Sequence, residues 1–402
     1  MTDINGRLAF NVNSLTSNPS TASSVLAQLQ AAGVYIVRID FSWNIIEPSD
    51  GTFDWTATDT AMLAAQANGV QVMGIVDYCA LWANDGSSIF TPPSNSTQYA
   101  AFAAAIATRY GQNGTLWSTA PGSLTFRPLI SLEIWNEPNG NWFWLPGASP
   151  TAYATLAAAA IIAIRTVDPS IKLLVCGDWW CLNADYSNGY WLAPLLAAPE
   201  NIASLVDAFA VHPYPDPKNL GPDDITGSTT NRYFSTSISI SQGILEDAGI
   251  NKPIWVTEIG WTTGGDEATT AVSQAQQSTN LSRAVTRTLD EFDCPIVAVY
   301  SFDLAEGAAA EFNGTFESAT DLAAWTGLGA TIALDTSKSH SGSSSLKVTA
   351  TGGTPAAAYR NGGDNVDVGK SYTLSAWVYG PPGGQFFSVV ARVLRPWRLL
   401  CQ

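Results

Sequence analysis

Short apolar, β-branched runs recur along roughly the first 300 residues, each followed by a helix-prone segment. The runs are Leu8–Val12, Val34–Asp40, Gln71–Asp77, Leu129–Trp135, Lys172–Gly177, Ala208–His212, Ile254–Glu258 and Ile296–Phe302. Several are continuous rather than alternating, as expected of parallel strands buried on both faces. Amphipathic or Ala-rich segments lie between them, most clearly Ser20–Ala32, Thr56–Asn68, Gln98–Tyr110, Thr151–Val167, Ser235–Ala248 and Ala271–Phe292. Gly33, Gly69 and Gly249 directly follow helical patterns, where a left-handed residue ends a helix. Eight strand–helix alternations predict an α/β fold, a (β/α)8 TIM barrel over residues 1–311. A doubly wound open sheet is the competing architecture. No GxGxxG or phosphate-loop sequence supports it.

The pattern changes after Phe302. Asp303–Ala310 is a short Ala/Gly-containing connection, and from Phe312 onward Gly, Ser and Thr dominate. Short alternating runs, Ser345–Thr349 and Tyr372–Tyr379, predict a small C-terminal β-sandwich over residues 312–402. Across Ala391–Gln402 the alternation is lost, and Arg392, Arg395 and Arg398 cluster there. The segment is short against a sandwich of about 100 residues, so a truncated module is expected.

Composition narrows the partners. The chain is 46% hydrophobic and 13% charged, enough for a sizeable core. A net charge of −16 repels nucleic acid and anionic membrane but not a neutral glycan. The apolar run Tyr153–Ile164 reads as too short and too Ala-rich to cross a bilayer. The start, Met1-Thr2-Asp3-Ile4-Asn5, shows no signal peptide, leaving a cytoplasmic protein or a removed leader. No CxxC pair occurs, and the two histidines are His212 and His340, so neither a zinc site nor any other cofactor is expected in the barrel. Cys176 and Cys181 are placed to bridge a loop. A monomer is expected.

The chemistry is expected where barrel strands end, since the C-terminal ends of the strands build the active site. Strand four ends Trp135-Asn136-Glu137-Pro138-Asn139 and strand seven ends Thr257-Glu258-Ile259-Gly260-Trp261. These strands oppose each other across the mouth, so Glu137 and Glu258 converge. Glycoside hydrolysis needs such a pair: one carboxylic acid protonates the departing oxygen, and the other carboxylate attacks the anomeric carbon or activates water. Taken singly, each Glu is an ordinary loop carboxylate. Eight of the 15 Trp fall in the predicted connections: Trp43, Trp82, Trp142, Trp144, Trp179, Trp180, Trp191 and Trp261. Their rings are candidate sugar platforms or loop packing.

The two glutamate motifs resemble those of clan A glycoside hydrolases, with families 5 and 39 and related bacterial exopolysaccharide endoglycosidases the nearest in pattern. The likeness extends to Val37-Arg38-Ile39-Asp40-Phe41-Ser42-Trp43, Glu47-Pro48 and Gly51-Thr52-Phe53-Asp54-Trp55, covering residues 8 to 303. It implies that Glu137 is the acid/base and Glu258 the nucleophile, with retention of configuration. It also implies that Asn136 contacts the sugar 2-hydroxyl, that Tyr214 holds the nucleophile and that His212 lines the subsite. Arg38 matches the clan's second-strand Arg beside the nucleophile; a buried ion pair with Asp40 or Asp77 is the other reading of it. Strand eight departs from the clan, with Tyr300 and Phe302 where many members carry a Trp. Residues 312 to 390 resemble family 4/9-type carbohydrate-binding β-sandwich modules, which often hold a structural calcium; no decisive ligand set stands out. Trp377 and Tyr379 are the ring candidates there, with Trp377 read as core, and His340 is read as structural.

The expected activity is therefore a retaining endo-β-glycosidase on β-linked polysaccharide or oligosaccharide, with Trp43, Trp142, Trp144, Trp180 and Trp261 as binding residues. An exo-acting β-xylosidase or β-glycosidase and a non-catalytic glycan-binding barrel are the alternatives. A glycan-degrading role implies a secreted, extracellular protein.

Overall fold

The computed structural model describes residues 6–119, 126–181, 190–226, 232–264, 270–302, 326–328, 330–337, 344–350 and 357–359. Contacts divide the chain into two units, Met1–Leu304 and Ala305–Gln402.

The first unit is a closed parallel barrel. Its order is β1 (Leu8–Asn11), α1 (Ala22–Ala31), β2 (Ile36–Ser42), α2 (Thr56–Asn68), β3 (Gln71–Asp77), α3 (Ser96–Tyr110), β4 (Leu129–Ile134), α4 (Pro150–Val167) and β5 (Lys172–Cys176). Then follow β6 (Ala208–Val211), α5 (Phe234–Asp247), β7 (Ile254–Ile259), α6 (Gln274–Thr286) and β8 (Val297–Val299). Each strand pairs in parallel with the next, and β1 also pairs with β8, Leu8 opposite Val297, which closes the ring. All eight predicted runs form strands, so the barrel reading holds and the open sheet does not.

Strand alternation sorts the residues between the two faces. Along β2, Val37, Ile39 and Phe41 join the core beneath the helices, while Ile36 joins a second, smaller core. Ile36, Met73, Leu174, Ala210, Trp255 and Ala298 all belong to this inner core. Two residues beyond Ala9 and Ile36 of this core come Asn11 and Arg38, and β4 adds Glu133; all three are buried. The barrel therefore has an apolar floor and a charged layer toward its C-terminal mouth.

The helix ends follow their sequences. The Asn95 side chain accepts from the Thr97 N–H to start α3, Ser149 accepts from Ala152 to start α4, and Ser273 with Gln276 forms a capping box on α6. Gly33, Gly69 and Gly249 have φ of 83°, 64° and 69°, the left-handed geometry expected of them. Helix α4 runs longer than its central apolar run. At 18 residues with mean hydropathy 1.4 it is long and apolar enough for a bilayer by length and composition alone, which corrects the expectation that it is too short. Half of it is buried inside the barrel unit, through Tyr153, Ile161 and Ile164 among others, as in a core helix.

In the second unit, Ala330–Asp335 pairs antiparallel with Ser345–Ala350, and Thr326–Leu328 with Ala357–Tyr359. The predicted run Ser345–Thr349 lies in one of these strands. The remaining expectations for this unit, namely Tyr372–Tyr379, Trp377, His340, the arginine-rich end and any calcium ligands near them, lie outside the described residues.

Candidate active site

Six strands supply the site. Arg38 comes from β2, Asn136 and Glu137 follow β4, Asp178 follows β5, His212 and Tyr214 follow β6, Glu258 ends β7 and Tyr300 follows β8. Arg38 is its buried hub. Its Nη1 donates to Glu258 Oε1 at 2.8 Å and to Asn11 Oδ1 at 2.8 Å. Its Nε donates to Glu133 Oε2 at 3.1 Å and its Nη2 to Asn136 Oδ1 at 3.2 Å. Burial works against this guanidinium's charge, but Glu133 and Glu258 hold it firmly protonated. The expected alternative partners, Asp40 and Asp77, are not the ones bonded. Glu133 takes that place because it projects inward from β4 at the same level.

Glu258 is 7% exposed. Its second oxygen accepts from the Tyr214 hydroxyl at 3.1 Å. Across the mouth, Glu137 Oε1 sits 2.7 Å from His212 Nδ1. The other imidazole nitrogen is 3.0 Å from Thr257 Oγ1. Burial favours neutral His212, yet Glu258, Glu137 and Glu133 together push its pKa up to about 9. Burial also opposes ionisation of Glu137, but His212, then Arg38 and Arg232, hold its carboxyl below the usual range. One oxygen of each glutamate and one His212 nitrogen all lie within 4.8 Å of one another. That spacing could seat a cation by distance alone, but the donors are already engaged by Arg38, Tyr214 and Thr257.

The backbone is distorted where the acid sits. Trp135 and Glu137 adopt φ of 62° and 43°, in the left-handed region that non-glycine residues avoid, at a penalty of about 1–3 kcal/mol each. The surroundings hold them there. The Trp135 amide donates to Val76 O at 3.0 Å and its indole to Phe143 O at 2.7 Å, while the Gly140 amide donates to Glu137 O at 3.0 Å. Gly260 is equally constrained, because a Cβ there would collide with the Tyr300 carbonyl.

Asn136 is fixed at both ends of its amide, accepting from Arg38 and donating to the Tyr78 hydroxyl at 3.0 Å. The tryptophans divide. Trp142 is 63% exposed. Trp43 is fully buried among Trp82, Tyr99 and Phe102, with its indole donating to Glu47 Oε2 at 2.6 Å. Trp144 is buried between Trp135 and Tyr153. Trp261 is buried, its indole donating to Leu220 O at 2.8 Å. These three rings have no free face for a sugar, which corrects their assignment as binding residues. Trp180 is half-buried, with one face covered by the Arg232 guanidinium at 3.9 Å. At strand eight, Tyr300 is 44% exposed, whereas Phe302 packs edge-on against Phe10. Cys176 and Cys181 are not bridged; each is a buried free thiol, and Cys181 Sγ donates to Asn139 O at 3.2 Å.

Sequence reading missed Glu133, Asp178 and Arg232. Glu133 carried a usable signal, being the one charged residue inside the strand Leu129–Ile134. Asp178 follows β5 as Glu137 follows β4, and burial pushes its pKa up to about 7. Arg232 stands in a long connection with no motif around it.

The family model described as Cellulase (glycosyl hydrolase family 5) matches residues 3–286, and one described as Carbohydrate binding domain matches residues 308–392. No curated protein matches the chain. Among solved structures, a family 39 glycoside hydrolase from Bacteroides cellulosilyticus WH2 aligns at TM-score 0.56 and 21% identity, over 75% of this chain and 58% of that one. An endo-1,4-β-mannanase from Rhizomucor miehei aligns at 0.51 and 15%, over 74% and 86%. An exo-β-1,4-mannosidase from an Opitutaceae bacterium aligns at 0.50 and 19%, over 74% and 52%. This chain thus spans little more than half the length of the first and third. At these identities the likeness carries the barrel fold and nothing finer. The family match over most of the chain goes further: this chain belongs to glycosyl hydrolase family 5.

Proposed function

We propose that the barrel is a retaining endo-β-glycosidase that cleaves β-linked polysaccharide by double displacement, with Glu137 as acid/base and Glu258 as nucleophile. The observation that carries this reading is the approach of the two carboxylates, which have oxygens within 4.8 Å of each other. Retaining enzymes hold their pair about 5–5.5 Å apart, whereas inverting ones need roughly 6.5–9.5 Å to admit a water.

In the first step a Glu258 oxygen bonds to the anomeric carbon as the glycosidic C–O bond breaks, and the departing oxygen takes a proton from Glu137. In the second, water attacks the same carbon and gives its proton to Glu137, and the glycosyl–Glu258 bond breaks. Arg38 and Tyr214 each donate to one Glu258 oxygen and so aim the carboxylate. In the resting pair the proton rests on His212; transfer from Nδ1 to Oε1, 2.7 Å away, gives Glu137 its acid form. Asn136, locked by Arg38 and Tyr78, is placed to meet the sugar 2-hydroxyl. Endo action is favoured by the exposed Trp142 just beyond the acid and by the carbohydrate-binding match at 308–392.

The test is product analysis on a polysaccharide panel headed by β-1,4-mannan, the linkage in the names of two structural neighbours, followed by NMR of the first-formed anomer. Oligosaccharides released with the β configuration, and none from Glu258→Gln, are expected. An α product would overturn retention, and monosaccharide alone would overturn endo action.

A further inference from the structure

Arg232 is a cation near the site that the proposed mechanism leaves unused. Its backbone is clamped to Asp216 by reciprocal N–H···O bonds of 2.9 and 3.0 Å. Its guanidinium carbon lies over the Trp180 ring, 3.9 Å from the ring centre. Trp180 is itself anchored, its carbonyl accepting from Asn139 Nδ2 at 3.0 Å, so the β4, β5 and β6 connections fix this cation together. Yet the buried Nε meets no acceptor, and the described residues offer the guanidinium no hydrogen bond. The terminal nitrogens of this rigid guanidinium are not among the buried atoms, so they are the donors free to meet oxygens from outside the protein.

The location indicates what does. Arg232 lies within the electrostatic reach of Glu137 and Asp178, and the Trp180 beneath it is tied to Asn139, two residues after the acid/base. The acid must touch the glycosidic oxygen, so the departing sugar occupies this side. A guanidinium edge offers parallel donors to two neighbouring oxygens. Asp178, Asp216 and Glu137 surround it and the chain carries −16 overall, which favours hydroxyl oxygens over a sugar carboxylate.

We infer that Arg232, held on the face of Trp180, binds the sugar on the leaving-group side by donating to a pair of hydroxyl oxygens on a neutral residue. This rests on the hydrolase reading above, and the test separates the two. Wild type, Arg232→Gln and Arg232→Lys are compared on a β-1,4-tetraose (mannose or glucose, whichever wild type cleaves) and on the phenyl glycoside of the matching disaccharide. Phenol needs the same acid to depart but has no sugar hydroxyls. The tetraose-to-phenyl ratio of kcat/KM is expected to fall about 10- to 100-fold in both variants, the range for a lost charged hydrogen-bond pair. Equal loss on both substrates would mean that Arg232 acts through Glu137 or the fold, and would overturn the inference. So would an unchanged ratio, or full recovery by Lys, which keeps the charge without the fork. Faster cleavage of chains with a uronic acid at that position would overturn the neutral-sugar assignment. If wild type cleaves neither probe nor any glycan in the panel, the hydrolase reading itself fails.

Discussion

Replacing His212 with Gln removes a buried imidazolium while leaving a side chain able to bond Glu137. Burial disfavours the charged ring, but Glu258, Glu137 and Glu133 outweigh it and raise its pKa from 6.5 to about 9. At 1.36 kcal/mol per tenfold, that hold on the proton stabilises the fold by about 3 kcal/mol. The sign follows from where the proton resides. Below pH 6.5 both folded and unfolded chains carry it, and the stabilisation is fully present. Between 6.5 and about 9 only the folded chain keeps it, so stability falls as pH rises; above that range the contribution is gone. Urea unfolding of both proteins is therefore expected to show a gap of about 3 kcal/mol near pH 6 that shrinks steadily and levels off above about pH 9. A gap independent of pH, or one that widens with pH, would refute the claim that the folded protein holds His212 protonated.

Glu258→Gln should lower kcat on the natural glycan by about 10⁴-fold or more, measured by product release; a modest loss would remove Glu258 as nucleophile. Arg38→Met should destabilise the barrel by about 3–5 kcal/mol in urea unfolding, because it strands Glu133 and Glu258 without their buried cation. A loss under about 1 kcal/mol would mean that the pairing contributes little. Trp142→Ala should weaken polysaccharide binding by about 0.5–1.5 kcal/mol in titration calorimetry and leave the Tm unchanged, since the ring is exposed. Trp43→Ala should do the reverse, destabilising the fold by about 3–5 kcal/mol because the ring is fully buried.

The barrel was legible because its signal is local. Each parallel strand is a short apolar run, and helices α1, α2 and α5 end where a glycine turns left-handed, as Gly69 does. Glu137 and Glu258 were legible because their strand ends place them whatever the loops do. The tryptophans were not, because burial is a property of the assembled loop. Trp43 and Trp142 both sit in βα connections, yet one is sealed under Trp82 and Phe102 while the other faces solvent. The Glu47-Pro48 to Gly51 motif is explained by the same packing: Glu47 accepts from the Trp43 indole and the Gly51 amide, so it holds a loop. Arg232 was invisible for a different reason. Its relation to Trp180 and Glu137 exists only after three connections have folded together, and no spacing in the chain encodes it.

The two carboxylates are chemically identical, so any difference in their roles has to come from their neighbours. Within 4.8 Å two negative charges repel by roughly 3–4 kcal/mol or more at an effective dielectric of 20, and the site offsets this with one cation on each. The cation on Glu258 is an arginine, which does not release its proton at any working pH. The cation on Glu137 is a histidine, whose proton can cross a 2.7 Å gap. A carboxylate beside a fixed charge suits attack on carbon, and one beside a transferable proton suits acid and base work in turn. The proposed roles thus follow from the pKa of each neighbour, and they would reverse only if Arg38 and His212 exchanged places.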